Sequence, residues 1–302
     1  MGIRIVNYST IVVLLAILFG CANSNSDSKS TKIDHELSAD EGVISFIPND
    51  YKDEEIIFYN LFSPVELTYL VSKKEAYYNS SLINPINNIT KYLSSDKIAL
   101  NLGVYGADIS YLWMFNQSQQ SLSYRTAIIR LTDKLEIPRE YVNIDFLTDD
   151  SNPQKFDSLV YIAKVSYLQT DKFLKKSDRD YSASLILLGG WIETLYIATQ
   201  MYDKPGSKLM AKIALQEYSL NSLISLLQIS QNNYDMSEYL LLLKKLKKAY
   251  TNLNVKFETE SLLIDTTNKH IKLKQGSEFV FVEGDFAEIK RIAKQIRDYI
   301  IQ

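Results

Sequence analysis

Apolar residues recurring every three or four positions, in long stretches separated by short polar breaks, leave this chain few folds to choose from. In residues 286–300, Phe286, Ile289, Ile292, Ile296 and Ile300 form one stripe, the signature of an amphipathic α-helix rather than of a strand. Breakers are scarce, with ten glycines and six prolines in 302 residues, so such segments run on without interruption. The fold class this predicts is all-α: a multi-helix, mostly antiparallel bundle whose short linkers turn each helix back on the last.

The helix boundaries follow from capping chemistry. Ser63-Pro64-Val65-Glu66 has the form of a capping box with proline at the first helical position and predicts a helix over residues 64–78. Asn84-Pro85 interrupts the next segment. Ser95 and Asp96 are the expected caps of a helix through Asp108 to about residue 119, with Leu102, Tyr105, Ile109 and Leu112 on one face. The polar stretch 116–123 either bends it or stands in solvent, and a further helix, or a continuation of the same one, carries Ile128, Leu131 and Leu135 and stops ahead of Pro138. Asn152-Pro153 opens another helix, ending near Lys175 and Lys176. Ser177 opens the most apolar helix, 178–202, closed by Lys204-Pro205-Gly206, and Ser207 caps one reaching about residue 230. Residues 237–253 are amphipathic, with Tyr239, Leu243, Leu246 and Tyr250 facing the core and Lys244, Lys245, Lys247 and Lys248 forming a solvated face; the alternative is a membrane surface in which the leucines insert and the lysines meet anionic headgroups. Between 255 and 282 the period changes: Ile271, Leu273, Phe279 and Phe281 around Gln275-Gly276 predict a small β-hairpin before the C-terminal helix. Asp285 and Glu288 then cap that helix.

The amino terminus points to export. Arg4 precedes an apolar run over 11–19 that is too short to span a bilayer, which needs roughly 20 residues. Leu18-Phe19-Gly20-Cys21 follows and resembles the lipobox of bacterial lipoproteins. That resemblance implies a signal peptide over 1–20 and acylation of Cys21, whose chains together hold a protein at a membrane. Cys21 is the only cysteine, so no intrachain disulfide competes for its thiol. Residues 22–40 are almost all polar, and 21–54 is read as the acylated cysteine with a flexible tether, leaving 55–302 as the helical domain. Because Ala22 rather than aspartate follows the cysteine, the resemblance favours the outer membrane, with the domain facing the periplasm.

Two segments, Leu102-Gly103-Val104-Tyr105-Gly106-Ala107-Asp108 followed by Tyr111, and Gly189-Gly190-Trp191-Ile192-Glu193 with Leu195-Tyr196-Ile197-Ala198, are similar to hallmarks of a group of uncharacterised helical bacterial lipoproteins. The resemblance implies a fold and a location and carries no activity. Physically, Gly189 and Gly190 cost about 1 kcal/mol each against alanine in a helix, which predicts a helix crossing closely there; a glycine bend opening a pocket beside Trp191 is the alternative. Gly103 and Gly106 admit the same two readings.

Chemistry is sparse. The histidines are His35, in the tether, and His270, so neither a histidine metal site nor a Ser-His-Asp triad has a frame, and no metal or cofactor is predicted. A net charge of −3 and a pI near 5.6 argue against a nucleic-acid partner. Glu193 is the only acid among apolar residues 181–202; buried, it must pair with a base or be held neutral, and Arg125 and Arg130 are its candidate partners. Asp178 and Asp180 read as helix-start acids. The preferred function is a membrane-tethered, non-catalytic lipoprotein that binds an envelope protein or a small ligand, with Tyr105, Asp108, Trp191 and Glu193 as candidate ligand-binding residues. The alternatives are a carboxylate-dependent hydrolase using Asp108 and Glu193, and a structural envelope component.

Overall fold

The computed structural model describes residues 77–142, 155–201, 207–230, 236–251, 253, 262–265, 270–273 and 283–302. Cys21, the tether, residues 64–76 of the helix expected over 64–78 and the starts and turns expected at 152–153, 204–206 and 231–233 lie outside the described residues, while Tyr77 and Tyr78 are described and not helical. The helices are α1 (Ser95–Met114), α2 (Ser118–Lys134), α3 (Lys155–Lys176), α4 (Asp180–Gln200), α5 (Ser207–Ser230), α6 (Ser237–Thr251) and α7 (Glu283–Ile301), with 3-10 turns at Ser80–Leu82, Ile86–Lys91 and Arg139–Tyr141. The fold is the expected mostly antiparallel helical bundle.

Local chemistry sets the ends. The cap of α1 is Ser94, one residue earlier than expected, whose hydroxyl accepts from the Lys97 N–H at 3.3 Å. Asp96 sits inside the first turn and accepts instead from the Tyr181 hydroxyl at 3.0 Å. The expected bend after α1 is a full break: Asn116 adopts φ 54°, a left-handed conformation that asparagine tolerates, and α2 starts afresh. Asp178, expected at a helix start, is likewise left-handed at φ 55° and turns the chain between α3 and α4. Arg179 follows it and donates to the Leu135 carbonyl at 2.6 Å, a cation on the carboxyl end of α2.

Helices α1 and α4 are buried on nearly every side, beyond the single face expected of α1, and a helix apolar all round belongs at the centre. Helix α4 is long and apolar enough to cross a membrane, yet 89% of its most apolar window is buried inside the fold. The two central helices advance in step, with Asp96 by Tyr181, Gly103 against Gly190 and Asp108 beside Glu193, so they run in the same direction. Helix α7 runs against α4, as Glu193 meets Arg297 while Gln200 reaches the Lys290 carbonyl. It also runs against α6, where Tyr239 and Tyr299 pack edge to face.

The parallel central pair is possible because its backbones nearly touch. A Cβ on Gly189 would fall 1.9 Å from the Leu100 carbonyl oxygen, and one on Gly103 2.0 Å from that of Ile186. No side chain larger than hydrogen fits either place, so the expected close crossing holds there, and Trp191 is itself buried.

A two-stranded antiparallel pair is present, with strands other than those expected. Strand β1 (Leu262–Asp265) pairs antiparallel with β2 (His270–Leu273), Leu262 opposite Leu273 and Asp265 opposite His270. Both strands precede Gln275-Gly276, about which the hairpin was expected. The apolar run Leu262-Leu263-Ile264 supplies the partner strand that the period of 271–281 did not reveal. Phe279 and Phe281 lie outside the described residues.

Candidate functional site

Where α1, α4 and α7 meet, the apolar core encloses three ionisable side chains. Glu193, completely buried on α4, accepts from Arg297 of α7: the guanidinium Nε lies 3.0 Å from one carboxylate oxygen and 3.3 Å from the other, and Nη2 lies 3.2 Å from the latter. The same guanidinium lies 4.6 Å from the centre of the Tyr196 ring, one helical turn along α4. Asp108, on α1 and also completely buried, is beside Glu193 and accepts the backbone N–H of Asn84 at 3.1 Å.

Arginine stays charged inside proteins, so one carboxylate is needed to balance it and a second negative charge has no counterion. Geometry selects Glu193 as the ionised acid, since both its oxygens face Arg297. Burial raises both acids, most strongly Asp108, which the Glu193 charge raises further; Arg297 pulls back on Glu193. On Arg297 burial works downward, but the charge and hydrogen bonds of Glu193 outweigh it and the guanidinium is held above its ordinary value. Asp108 therefore keeps its proton. Its Oδ1 accepts no hydrogen bond in the fold, and a proton there makes that oxygen a donor to Glu193. The trio is then neutral as a whole.

Asn84, completely buried, ties this cluster to the segment before α1. Its side-chain amide donates to the Tyr92 hydroxyl at 2.9 Å and to Asn101 at 3.3 Å, and its own amide oxygen accepts from Asn88 at 2.8 Å. Its carbonyl accepts from the Tyr124 hydroxyl at 2.7 Å, and the Pro85 carbonyl accepts from Tyr105 at 3.1 Å. Burial holds the Tyr105 and Tyr124 hydroxyls far above their ordinary value, so both act as neutral donors. Lys97 and Asn101 of α1 donate to the last carbonyls of α7, at 2.9 Å to Tyr299 and 3.1 Å to Ile300, satisfying groups the helix leaves open.

Three of the four residues predicted to bind a ligand thus belong to one polar seam: Tyr105, Asp108 and Glu193. Trp191 does not join them. It points into the neighbouring interface, where its indole N–H donates to Gln216 of α5 at 3.2 Å. The predicted partners of Glu193 are corrected: neither Arg125 nor Arg130 reaches it, and Arg297 does. A signal for Arg297 exists in the sequence, since it falls four residues after Ala293 and three before Ile300, inside the stripe that buries α7.

Two acids in different protonation states are the arrangement of general acid and base catalysis. Here both are buried, with the Glu193 oxygens held by Arg297 and one Asp108 oxygen held by the Asn84 backbone. Among the described residues no three metal-binding side chains assemble. A shallow, open depression of about 410 Å³ lies elsewhere, between α6 and α7, lined by Glu238, Leu242, Arg291, Gln295 and Asp298. No protein family, curated protein or solved structure matches this chain.

Proposed function

We propose that this chain is an envelope lipoprotein, anchored through Cys21 in the outer membrane with its domain facing the periplasm, and that the helical domain acts by binding a protein or small ligand rather than by catalysis. The observation that favours binding over the carboxylate hydrolase is the complete burial of Asp108 and Glu193 together with Arg297. A hydrolytic pair must bring its oxygens within reach of a substrate and a water. These two instead hold α1, α4 and α7 to one another. The anchor reading rests on the lipobox-like Leu18-Phe19-Gly20-Cys21 and the lone cysteine.

Two measurements test this. Growth with labelled palmitate marks the wild-type chain and leaves Cys21→Ser unmarked; equal labelling of both removes the anchor. A strain lacking the protein is then complemented with Asp108→Asn, which leaves the Glu193–Arg297 pair intact. Rescue by a variant that folds normally is the expected result, whereas normal folding with lost rescue returns Asp108 to a chemical role.

A further inference from the structure

Helix α6 carries Lys244, Lys245, Lys247 and Lys248 within five residues of a chain whose net charge is −3. All four are exposed, while Leu240, Leu242, Leu243 and Leu246 beneath them are buried in the core. Those leucines are therefore not free to insert into anything. Leu241, half-exposed, lies one turn before Lys244 and Lys245 on the outer face. Some other exposed charges of the bundle are paired: Arg139 with Asp133, Arg291 with Glu288, Lys294 with Asp298. The α6 lysines have no ion pair among the described residues.

Like charges three and four apart on a helix repel, so this arrangement costs helix stability instead of adding to it. The helix dipole accounts for Lys248 alone, the basic residue of the last turn. A dense, unpaired, rigidly held cationic face is complementary to an anionic surface.

We propose that the lysine face of α6 docks the domain flat onto anionic phospholipid headgroups. The contact is electrostatic, with Leu241 as its one apolar element, and it orients the domain on the membrane. This rests on the reading that the chain is held at a membrane through Cys21.

The test is amine footprinting of the full acylated chain on vesicles of phosphatidylcholine alone, or of phosphatidylcholine mixed with phosphatidylglycerol. A water-soluble acylating reagent is applied and each lysine is read by mass spectrometry. On the anionic vesicles Lys244, Lys245, Lys247 and Lys248 should react roughly fivefold more slowly, the scale of one lysine's attraction to such a surface. Lys91, Lys172 and Lys176, exposed elsewhere, should be unchanged. The protection should vanish in about 1 M salt, where screening cuts the range to roughly 3 Å. Equal reactivity on both vesicles overturns the proposal, as does protection that survives high salt. So does protection by soluble polyglutamate but not by anionic vesicles, which would assign the face to an acidic protein. Palmitate labelling reports on the anchor separately, so failure of the anchor and failure of the lysine face are distinguishable.

Discussion

The Arg297 guanidinium meets the Glu193 carboxylate across 104 positions of sequence, with both carboxylate oxygens between 3.0 and 3.3 Å from its nitrogens and neither residue open to solvent. This contact joins the C-terminal helix to the centre of the fold. Removing one partner strands the other charge in the core. Arg297→Met is therefore expected to cost about 3–5 kcal/mol, and Glu193→Leu combined with it should recover most of that loss. Urea denaturation followed by circular dichroism measures both; a single variant within 1 kcal/mol of wild type, on the order of an exposed pair's worth, would show the pair to be solvated.

Asp108 makes stability depend on pH in the direction opposite to a salt-bridged acid. Its native pKa is raised, chiefly by burial and then by Glu193, so the folded chain holds a proton that the unfolded chain releases. The contribution is complete below the usual carboxylate value near 4 and declines as pH rises toward the raised native value, by about 1.4 kcal/mol per pH unit within that window. Asp108→Asn mimics the protonated acid, donating to Glu193 and accepting from Asn84, without needing a proton. The variant should gain on wild type as pH rises from about 4 to 7. Parallel stability curves over that range would mean that Asp108 is ionised in the fold.

The glycines of the two similar-looking segments separate into two kinds. Gly189→Ala and Gly103→Ala drive a methyl into a backbone carbonyl and should each cost about 3 kcal/mol or more. Around Gly106 a Cβ meets nothing within 4 Å, so Gly106→Ala should stabilise by about 0.5–1 kcal/mol through backbone entropy. Gly190, whose Cβ would lie 3.3 Å from the Gly103 oxygen, should fall between. Melting temperatures of the four variants give the order, and a destabilised Gly106→Ala would show that something covers that position.

Asn84 holds the segment before α1 by satisfying groups from several elements at once. Asn84→Ala leaves Tyr92, Asn88 and Asn101 each short of a buried hydrogen bond while the backbone bonds to Asp108 and Tyr124 remain. A loss of about 1–3 kcal/mol is expected. Hydrogen exchange should rise first in residues 79–92 and leave α4 protected. Uniform acceleration across the bundle would mean that the segment and the core unfold as one unit.

What the sequence determined by itself is the set of elements and their approximate ends, because these depend on neighbours along the chain. The stripe of α7, Ser207 at the head of α5, the lysines outside α6 and its leucines inside were all legible from spacing and capping. The need for Glu193 to be paired, and for a helix to cross closely at Gly189, also followed from the cost of burying a charge and of placing glycine in a helix. Partners were another matter. Arg125 and Arg130 were nearer in sequence, but which base reaches Glu193 depends on α7 packing antiparallel to α4, and no local pattern encodes that. The strand paired with 270–273 differed for the same reason, since strand pairing is chosen between segments. Only the tertiary structure decided that Asp108, Glu193 and Arg297 meet in one buried seam, because contacts in a core are set by what surrounds a group in space.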